Sequence, residues 1–376
     1  MSDAIQHECG IALLRLRKPL DFYLDKYGSA LYGLDKMILM MEKQHNRGQD
    51  GAGLAGVKLD MPPGQRYISR YRSIENNPMQ DIYNRIQHRI EGLLDGQMEK
   101  IKDVDWVKNN LAFACETYLG HLRYGTFGSN SIESCHPFLR QSNWMSRNLI
   151  LAGNFNMTNT SELIEELVSL GQHPKEQADT VTVMEKIGHF LDQENERLKS
   201  EAEKNIELNN IERSQFQIDN IDLPRVMKKA AKAWDGGYAM GGMLGQGDSF
   251  LMRDPNGIRP AYYYFDDEIA VVASERPVIQ TAFNLKFDDV KEVPPGHMIW
   301  TKRDGTVLIE KILEPKKHLA CSFERIYFSR GNDGAIYNER IELGRRLAKR
   351  VLKAADNNFE KTIFSFIPNT AEISFY

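Results

Sequence analysis

The sequence predicts an α/β protein, and three observations carry that prediction. Apolar runs of strand length recur, first at Cys9–Leu16 and again at Ala52–Leu59. Elsewhere apolar residues return at helical spacing, most clearly at Ile82, Ile86, Ile90 and Leu93. After Gly236-Gly237 the pattern turns strand-rich. The 376 residues give room for about two domains.

Taken in order, Cys9–Leu16 is a strand, and Ala52–Leu59 follows the glycine-rich turn Arg47-Gly48-Gln49-Asp50-Gly51. An amphipathic helix is expected over about 80–101. Leu149–Ala152 is a short strand running into Gly153-Asn154, and Thr180–Leu191 is helical. The stretch from Asp192 to about Asn220 is charged and reads as a solvated helix or loop insertion. Leu223–Trp234 is a further helix, with Pro224 tolerated in its first turn. Tyr262–Phe265 and Ile269–Ala273 flank Asp266-Asp267-Glu268 as a hairpin, and Asp254-Pro255-Asn256-Gly257 has turn composition. Glu314-Pro315-Lys316-Lys317 is the linker candidate. Beyond it, Ile341, Gly344, Leu347 and Val351 mark a helix face, and Ile363–Ile367 reads as a buried strand of the parallel-sheet kind. The apolar ending Ile373-Ser374-Phe375-Tyr376 suggests a second domain that is cut short.

Composition narrows the function classes. The hydrophobic fraction of 41% and charged fraction of 27% are those of an ordinary soluble globular protein. A net charge of −4 offers no electrostatic case for nucleic acid or an anionic membrane as partner. No apolar run reaches transmembrane length, and MSDAIQHE is not a secretory signal. Cys9, Cys115, Cys135 and Cys321 are widely spaced, without a CxxC pair, which fits a reduced cytoplasmic setting.

Cys9 is the residue with the most chemical potential. Were Met1–Glu8 removed as a propeptide, it would carry a thiol nucleophile and a free α-amine in one residue. The amine titrates near pH ~8 and the thiol near ~8.5, so one can take the other's proton. Four further segments accompany it. Gln44-His45-Asn46-Arg47-Gly48-Gln49-Asp50-Gly51 places an arginine in a glycine-rich turn. Gly120-His121-Leu122-Arg123-Tyr124-Gly125-Thr126 ends a strand with an arginine and a threonine. Ala152-Gly153-Asn154-Phe155-Asn156 supplies an amide side chain and turned backbone N–H groups, and Ala178-Asp179-Thr180 puts a carboxylate at a helix start. Singly, each has a structural reading: surface turn, salt-bridge partner, turn former, N-cap.

Together these segments resemble, in order and spacing from Cys9 to about Gly305, the glutaminase domain of class II glutamine amidotransferases, which are N-terminal-nucleophile hydrolases. The resemblance continues through Arg253-Asp254-Pro255-Asn256-Gly257-Ile258-Arg259-Pro260, Val272-Ala273-Ser274-Glu275 and Val293-Pro294-Pro295-Gly296. It extends to Cys321-Ser322-Phe323-Glu324-Arg325-Ile326-Tyr327-Phe328-Ser329-Arg330, which opens a phosphoribosyltransferase domain in one branch of that family. It implies a four-layer α/β/β/α domain over residues 9–310, after a propeptide of residues 1–8. Residues 311–376 would be the truncated start of a doubly wound type I phosphoribosyltransferase domain. Cys9 would attack the glutamine amide. Asn154 and the Phe155 N–H would form the oxyanion hole, where one donor is typically worth ~3–4 kcal/mol. Arg123 and Thr126 would hold the α-carboxylate, Asp179 the α-ammonium, and Arg47 would order the site beside Cys9.

The implied substrates are glutamine and phosphoribosyl diphosphate, giving phosphoribosylamine for purine synthesis, with a homo-oligomer expected. The acidic loop and Gly-Thr-Thr turn that bind the phosphates do not occur in these 376 residues. Magnesium is expected at that second site, and these residues alone are expected to hydrolyse glutamine at most. Cys321 occupies a position that ligates an iron–sulfur cluster in some relatives and is an ordinary cysteine in others; the ordinary cysteine is preferred. Three departures stand out: the additional Asn46, glycine at 153 in place of the family's histidine, and Phe155 where the family has glycine. Phe155 is expected to bring strain or a narrowed pocket. Insertions at about 60–110 and 192–222 are also peculiar to this chain. Two rival readings remain: another class II amidotransferase, or an inactive homologue serving as a regulatory module.

Overall fold

In the computed structural model, residues 9–125, 131–174, 178–204, 208–368 and 371–376 are described. The chain begins with β1 (Gly10–Leu16), then α1 (Leu20–Tyr27), α2 (Tyr32–Lys43), β2 (Gly51–Val57) and β3 (Ile68–Ser73). The helices α3 (Pro78–Leu94) and α4 (Val104–Asn110) precede β4 (Thr117–Arg123), β5 (Phe138–Arg140) and β6 (Leu149–Met157). A helical block follows: α5 (Thr160–Ser169), α6 (Asp179–Lys204), α7 (Asn210–Asp219) and α8 (Leu223–Ala230). Then come β7 (Gly236–Leu244), β8 (Ser249–Arg253), β9 (Tyr262–Phe265), β10 (Ile269–Ala273) and α9 (Arg276–Phe283). The strands β11 (Lys291–Glu292), β12 (His297–Thr301) and β13 (Val307–Lys311) lead to α10 (Gly334–Ala354) and the short α11 (Glu372–Phe375).

These strands form two antiparallel sheets, ordered β11-β9-β10-β1-β4-β2-β3 and β13-β12-β8-β7-β6-β5. Period-two alternation explains why both are buried on two faces. Along β1, Ile11 and Leu13 join Leu119, Ile150, Ala152 and Ala239 in a layer between the sheets. The alternate residues Ala12, Leu14 and Leu16 pack outward with Leu34, Met37 and Met41 of α2 and Ile82 and Ile86 of α3. On the far side, Leu151, Phe155 and Met157 of β6 meet Val183, Ile187 and Leu191 of α6. The result is the four-layer α/β/β/α arrangement expected from the sequence.

The hairpin and the first strand lie where the sequence puts them. Thr180–Leu191 belongs to a longer helix, because the charged residues after Asp192 continue α6 with their polar side outward. The region around 60–110 is more than an insertion: it carries β3, the edge strand of the first sheet, as well as α3 and α4. One expectation fails outright. Residues Ile363–Ile367 form no strand, and Ile363 and Ile367 are 96% and 82% exposed. A strand needs a neighbour to satisfy its backbone, and none runs beside this segment among the described residues. The preceding helix is present as α10, but Leu347 on its expected buried face is 54% exposed.

Loop chemistry fixes the ends of several elements. The Asp254 carboxylate accepts the N–H groups of Asn256, Ile258 and Arg259, each at 3.0 Å, so the Asp-Pro-Asn-Gly motif is a self-bracing turn. The linker runs along it, with Lys316 N–H on the Pro255 carbonyl at 2.8 Å. Gly48 is required sterically: a Cβ there would lie 2.5 Å from the Arg123 carbonyl carbon.

Burial sets contrasting mutational costs. Ile363→Ser and Ile367→Ser should leave chemical-denaturation stability within about 0.5 kcal/mol. Leu14→Ala, in a fully buried position, should cost about 2–5 kcal/mol. A loss at Ile363 comparable to that at Leu14 would mean the 363–367 segment is buried after all.

Candidate active site

Strand register assembles the site. Ile11 and Leu13 face the second sheet, so alternation puts Cys9, just ahead of β1, on the same face. Gly10 pairs with Leu122, and the same register continued by one residue sets Cys9 beside Arg123. Arg123 is also opposite Gly51 on β2, and both Cys9 and Arg123 are buried. The start of β1 is pinned by Ser274: Ile11 N–H donates to its Oγ at 3.0 Å, and Ser274 N–H returns a bond to the Ile11 carbonyl at 3.0 Å.

Arg47 lies directly alongside. A Cβ on Gly10 would touch the Arg47 Cβ at 3.3 Å. The Arg47 side chain has no exposed surface; its Nε donates to Glu275 at 2.6 Å and its Nη2 to Glu324. The additional residue Asn46 is absorbed into a short 3-10 turn, where its Nδ2 reaches Glu275 and the Phe328 carbonyl, both at 3.1 Å.

The second sheet contributes β6. Ile150 and Ala152 face the first sheet, and Asn154 continues that face with 1% exposure. The neighbouring strand β5 pairs only with Leu149–Leu151, so beyond them β6 is bonded to β7 alone. On the unpaired edge, Gly153 N–H donates to His136 Nδ1 at 3.3 Å and Met157 N–H to Asp179 Oδ2 at 2.9 Å. Successive odd residues present their N–H groups the same way, so the Phe155 N–H aims out of this edge between them. An amide side chain and an adjacent backbone donor thus lie at one end of the inter-sheet space. Asp179 begins α6 and also accepts the Thr160 hydroxyl at 2.7 Å, so it ties the helix to the end of β6.

Two histidines brace this edge. His121 Nε2 donates to the Gly153 carbonyl at 3.2 Å, and burial pushes its pKa down to about 3, so the ring is neutral at physiological pH. His136 Nδ1 accepts from Gly153, which leaves its Nε2–H to donate to Thr180 Oγ1 at 2.9 Å. His121 stands inside a segment singled out from the sequence, but its part in holding β6 was missed, as was His136 altogether. A histidine before proline carries no local signal for a contact 17 residues away.

The departures at 153 and 155 compensate each other. Phe155 points to the α6 side of its sheet, opposite to Asn154, so its ring stays out of the inter-sheet space. A Cβ at Gly153 would lie 2.6 Å from that ring. The expected narrowing by Phe155 is therefore corrected: glycine at 153 makes room for phenylalanine at 155. Thr126 and the proposed propeptide, residues 1–8, lie outside the described residues.

The other thiols are chemically quiet. Burial raises the Cys135 pKa to about 11 and pushes that of Cys115 up as well, so both stay protonated at neutral pH. Cys321 is half-buried, and among the described residues no three His, Cys, Asp or Glu side chains gather as metal ligands would. No helix there is long and apolar enough to cross a membrane.

A four-layer α/β/β/α sandwich with a cysteine at the head of a central strand is the arrangement that the resemblance read from the sequence implies. The chain is similar to amidophosphoribosyltransferases, in line with that resemblance. It is 28% identical to amidophosphoribosyltransferase of Pasteurella multocida, across 62% of this chain and 44% of that protein. It is 26% identical to the one from Lachancea kluyveri, across 87% and 56%, and 26% identical to that of Schizosaccharomyces pombe, across 96% and 59%. The chain thus spans about half the length of the curated relatives it matches. Among solved structures, Bacillus subtilis glutamine phosphoribosylpyrophosphate amidotransferase shares the fold at a TM-score of 0.59 and 21% identity, covering 97% of this chain and 62% of that one. A structure described as the allosteric regulatory enzyme of purine biosynthesis does so at 0.62 and 20%, with the same coverage of both chains. No family model matches the chain.

The Gly153–Phe155 coupling is measurable. Gly153→Ala should destabilise by about 1–3 kcal/mol through overpacking. In a Phe155→Ala background the added cost should fall by more than half, a non-additivity read from a double-mutant cycle in urea. Strict additivity would show that the ring does not occupy the space over Gly153.

Proposed function

We propose that residues from Cys9 to about 310 are a glutaminase domain. Its ammonia would be delivered to phosphoribosyl diphosphate to make phosphoribosylamine for purine synthesis. What supports this reading is that Cys9 and Arg123, neighbours by register, and Asn154 are all buried on strand faces turned to the space between the sheets, with the Phe155 N–H on the unpaired edge of β6. With residues 1–8 removed, the Cys9 α-amine takes the thiol proton and sulfur attacks the glutamine side-chain carbonyl. Asn154 Nδ2 and the Phe155 N–H receive the oxyanion. The tetrahedral intermediate collapses, the C–N bond breaks, and the amine returns its proton to the leaving ammonia. Water then cleaves the thioester, releasing glutamate.

Arg123 offers a guanidinium fork to the α-carboxylate of glutamine, with Thr126 as its partner. Asp179 keeps acceptor capacity for the α-ammonium, since each oxygen accepts one recorded bond. Arg47 positions β1 rather than touching substrate. Transfer to phosphoribosyl diphosphate would need the acidic phosphate-binding loop absent from these 376 residues, and magnesium would act there. No step here passes through a metal. A cytoplasmic location and a homo-oligomer are part of the same proposal.

Variants separate the roles. Cys9→Ser should abolish glutamine hydrolysis with the fold intact by circular dichroism. Asn154→Ala should lower kcat by roughly a hundredfold or more. Arg123→Ala and Asp179→Ala should raise KM more than they lower kcat, because their contacts exist before and during reaction. Equal kcat losses in all three with KM unchanged would contradict this division.

Processing has its own check. N-terminal sequencing of active protein should begin at Cys9. Full activity in a preparation that begins at Met1 or Ser2 would rule out the α-amine as base.

A further inference from the structure

The region between β2 and β4 contributes nothing to the glutaminase reading, yet it builds a charged recess at the edge of the first sheet. The cavity has about 480 Å³, within the range of small-molecule sites. Lys58, just past β2, Arg70 on β3 and Arg89 on α3 line it, together with Arg66 from the loop between β2 and β3. Tyr71 and Asn109 are also in its wall, and no carboxylate is.

These four cations differ from the other basic residues nearby. Arg85, one turn from Arg89, is paired with Asp81 at 2.9 Å, and Arg303 is paired with Asp60. None of Lys58, Arg66, Arg70 and Arg89 has a carboxylate within 4.0 Å among the described residues. Their recorded bonds go to neutral groups: Lys58 to the Lys108 carbonyl at 2.5 Å, Arg70 to the Pro137 carbonyl at 3.3 Å, and Arg89 to the Tyr71 hydroxyl at 3.4 Å. Most guanidinium N–H groups are left over. The nearby acid, Glu116, is already engaged by Lys108 at 2.6 Å and by Leu59 N–H at 2.9 Å. Burial lowers the Lys58 pKa, against the raising effect of Cys115 and Glu116, and the charges of Lys108 and Arg89 lower it further. Burial and then Arg72 do the same to Arg70. Like charges are thus held together around a recess with no carboxylate in its wall, in a chain whose net charge is −4.

We propose that this recess binds a small ligand carrying two or more adjacent phosphate groups. Each phosphate monoester brings about −1.5 to −2 charges, so two of them match three to four cations. Guanidinium forks suit phosphate oxygens, and Asn109 adds an amide donor. The cations converge on one recess rather than running as a stripe, which selects a compact anion over a nucleic acid strand. The proposal is independent of the glutaminase reading, because glutamine hydrolysis can be assayed separately in every variant below.

Isothermal titration of the 376-residue chain with inorganic pyrophosphate and tripolyphosphate tests it. One saturable site per chain is expected, weakening as salt rises. Arg66→Ala and Arg89→Ala, both at exposed positions, should each weaken binding tenfold or more with unchanged circular dichroism. Arg85→Ala should leave it unchanged. Absence of saturable binding, or affinity unaltered in both variants, would overturn the proposal. So would a single-stranded RNA oligonucleotide that binds more tightly than tripolyphosphate and competes with it, since the surface would then be a nucleic-acid site.

Discussion

The buried guanidinium of Arg47 is the contact on which the arrangement of the site depends. It lies between two carboxylates, Glu275 and Glu324, that are themselves only 3% and 2% exposed. Two buried acids of like sign would repel, and removing the cation between them would leave Glu275 to Arg330 at 3.3 Å; breaking a buried pair of this kind typically costs about 3–5 kcal/mol. The three residues belong to three distant segments: the turn after α2, the junction of β10 with α9, and the segment that follows the linker. Ser274, next to Glu275, pins the start of β1. The position of Cys9 is thereby set by an ion pair that reaches outside its own sheet. Asn46 strengthens the same node, since its Oδ1 accepts from Arg330 Nη2 at 2.6 Å while Nδ2 donates to Glu275. The residue that lengthens the turn is part of a latch between the first sheet and the segment 321–330.

That latch gives the second segment its order without a sheet of its own. Phe328 is buried and meets Tyr124 edge-on, with ring centroids 5.6 Å apart, one residue past Arg123. Arg340 from α10 donates to the Ser329 carbonyl at 2.6 Å. Farther along, α10 packs with α11, and its apolar face is otherwise exposed.

Much of the fold was legible because its signals are local. The alternation of β1, the Asp-Asp-Glu hairpin and the helical repeat at Ile82, Ile86 and Ile90 each lie within a dozen residues. The strand read at Ile363–Ile367 shows the limit of that logic. An apolar run states that burial is favourable but does not supply the neighbour, and without one the segment stays exposed. β3 was illegible for the opposite reason: Arg70 and Arg72 hide its alternation, and only pairing with β2 makes it a strand. In the site, Cys9, Arg123, Asn154 and Asp179 were nameable only as a set. The bracing by His121 and His136 could not be read at all, because it joins residues from three elements.

The unpaired edge of β6 shows most directly how sequence becomes local geometry here. β5 pairs Phe138 with Leu151, so the same register carried backwards would set Pro137 opposite Ala152 and His136 opposite Gly153. Proline has no N–H to give a ladder, and the strand begins only after it. Where a further strand residue would have bonded Gly153, the His136 side chain accepts that N–H instead. Asp179 does the same for Met157 two rungs beyond Phe155. The flanking donors are therefore satisfied by side chains, and the middle one is left facing the unpaired edge. Had β5 begun four residues earlier, at Ser134, its backbone would have claimed the Phe155 N–H, and the Asn154 side chain would have lacked that neighbouring donor. A three-residue strand, ended by a proline and extended by a histidine ring, is what leaves a backbone donor beside Asn154.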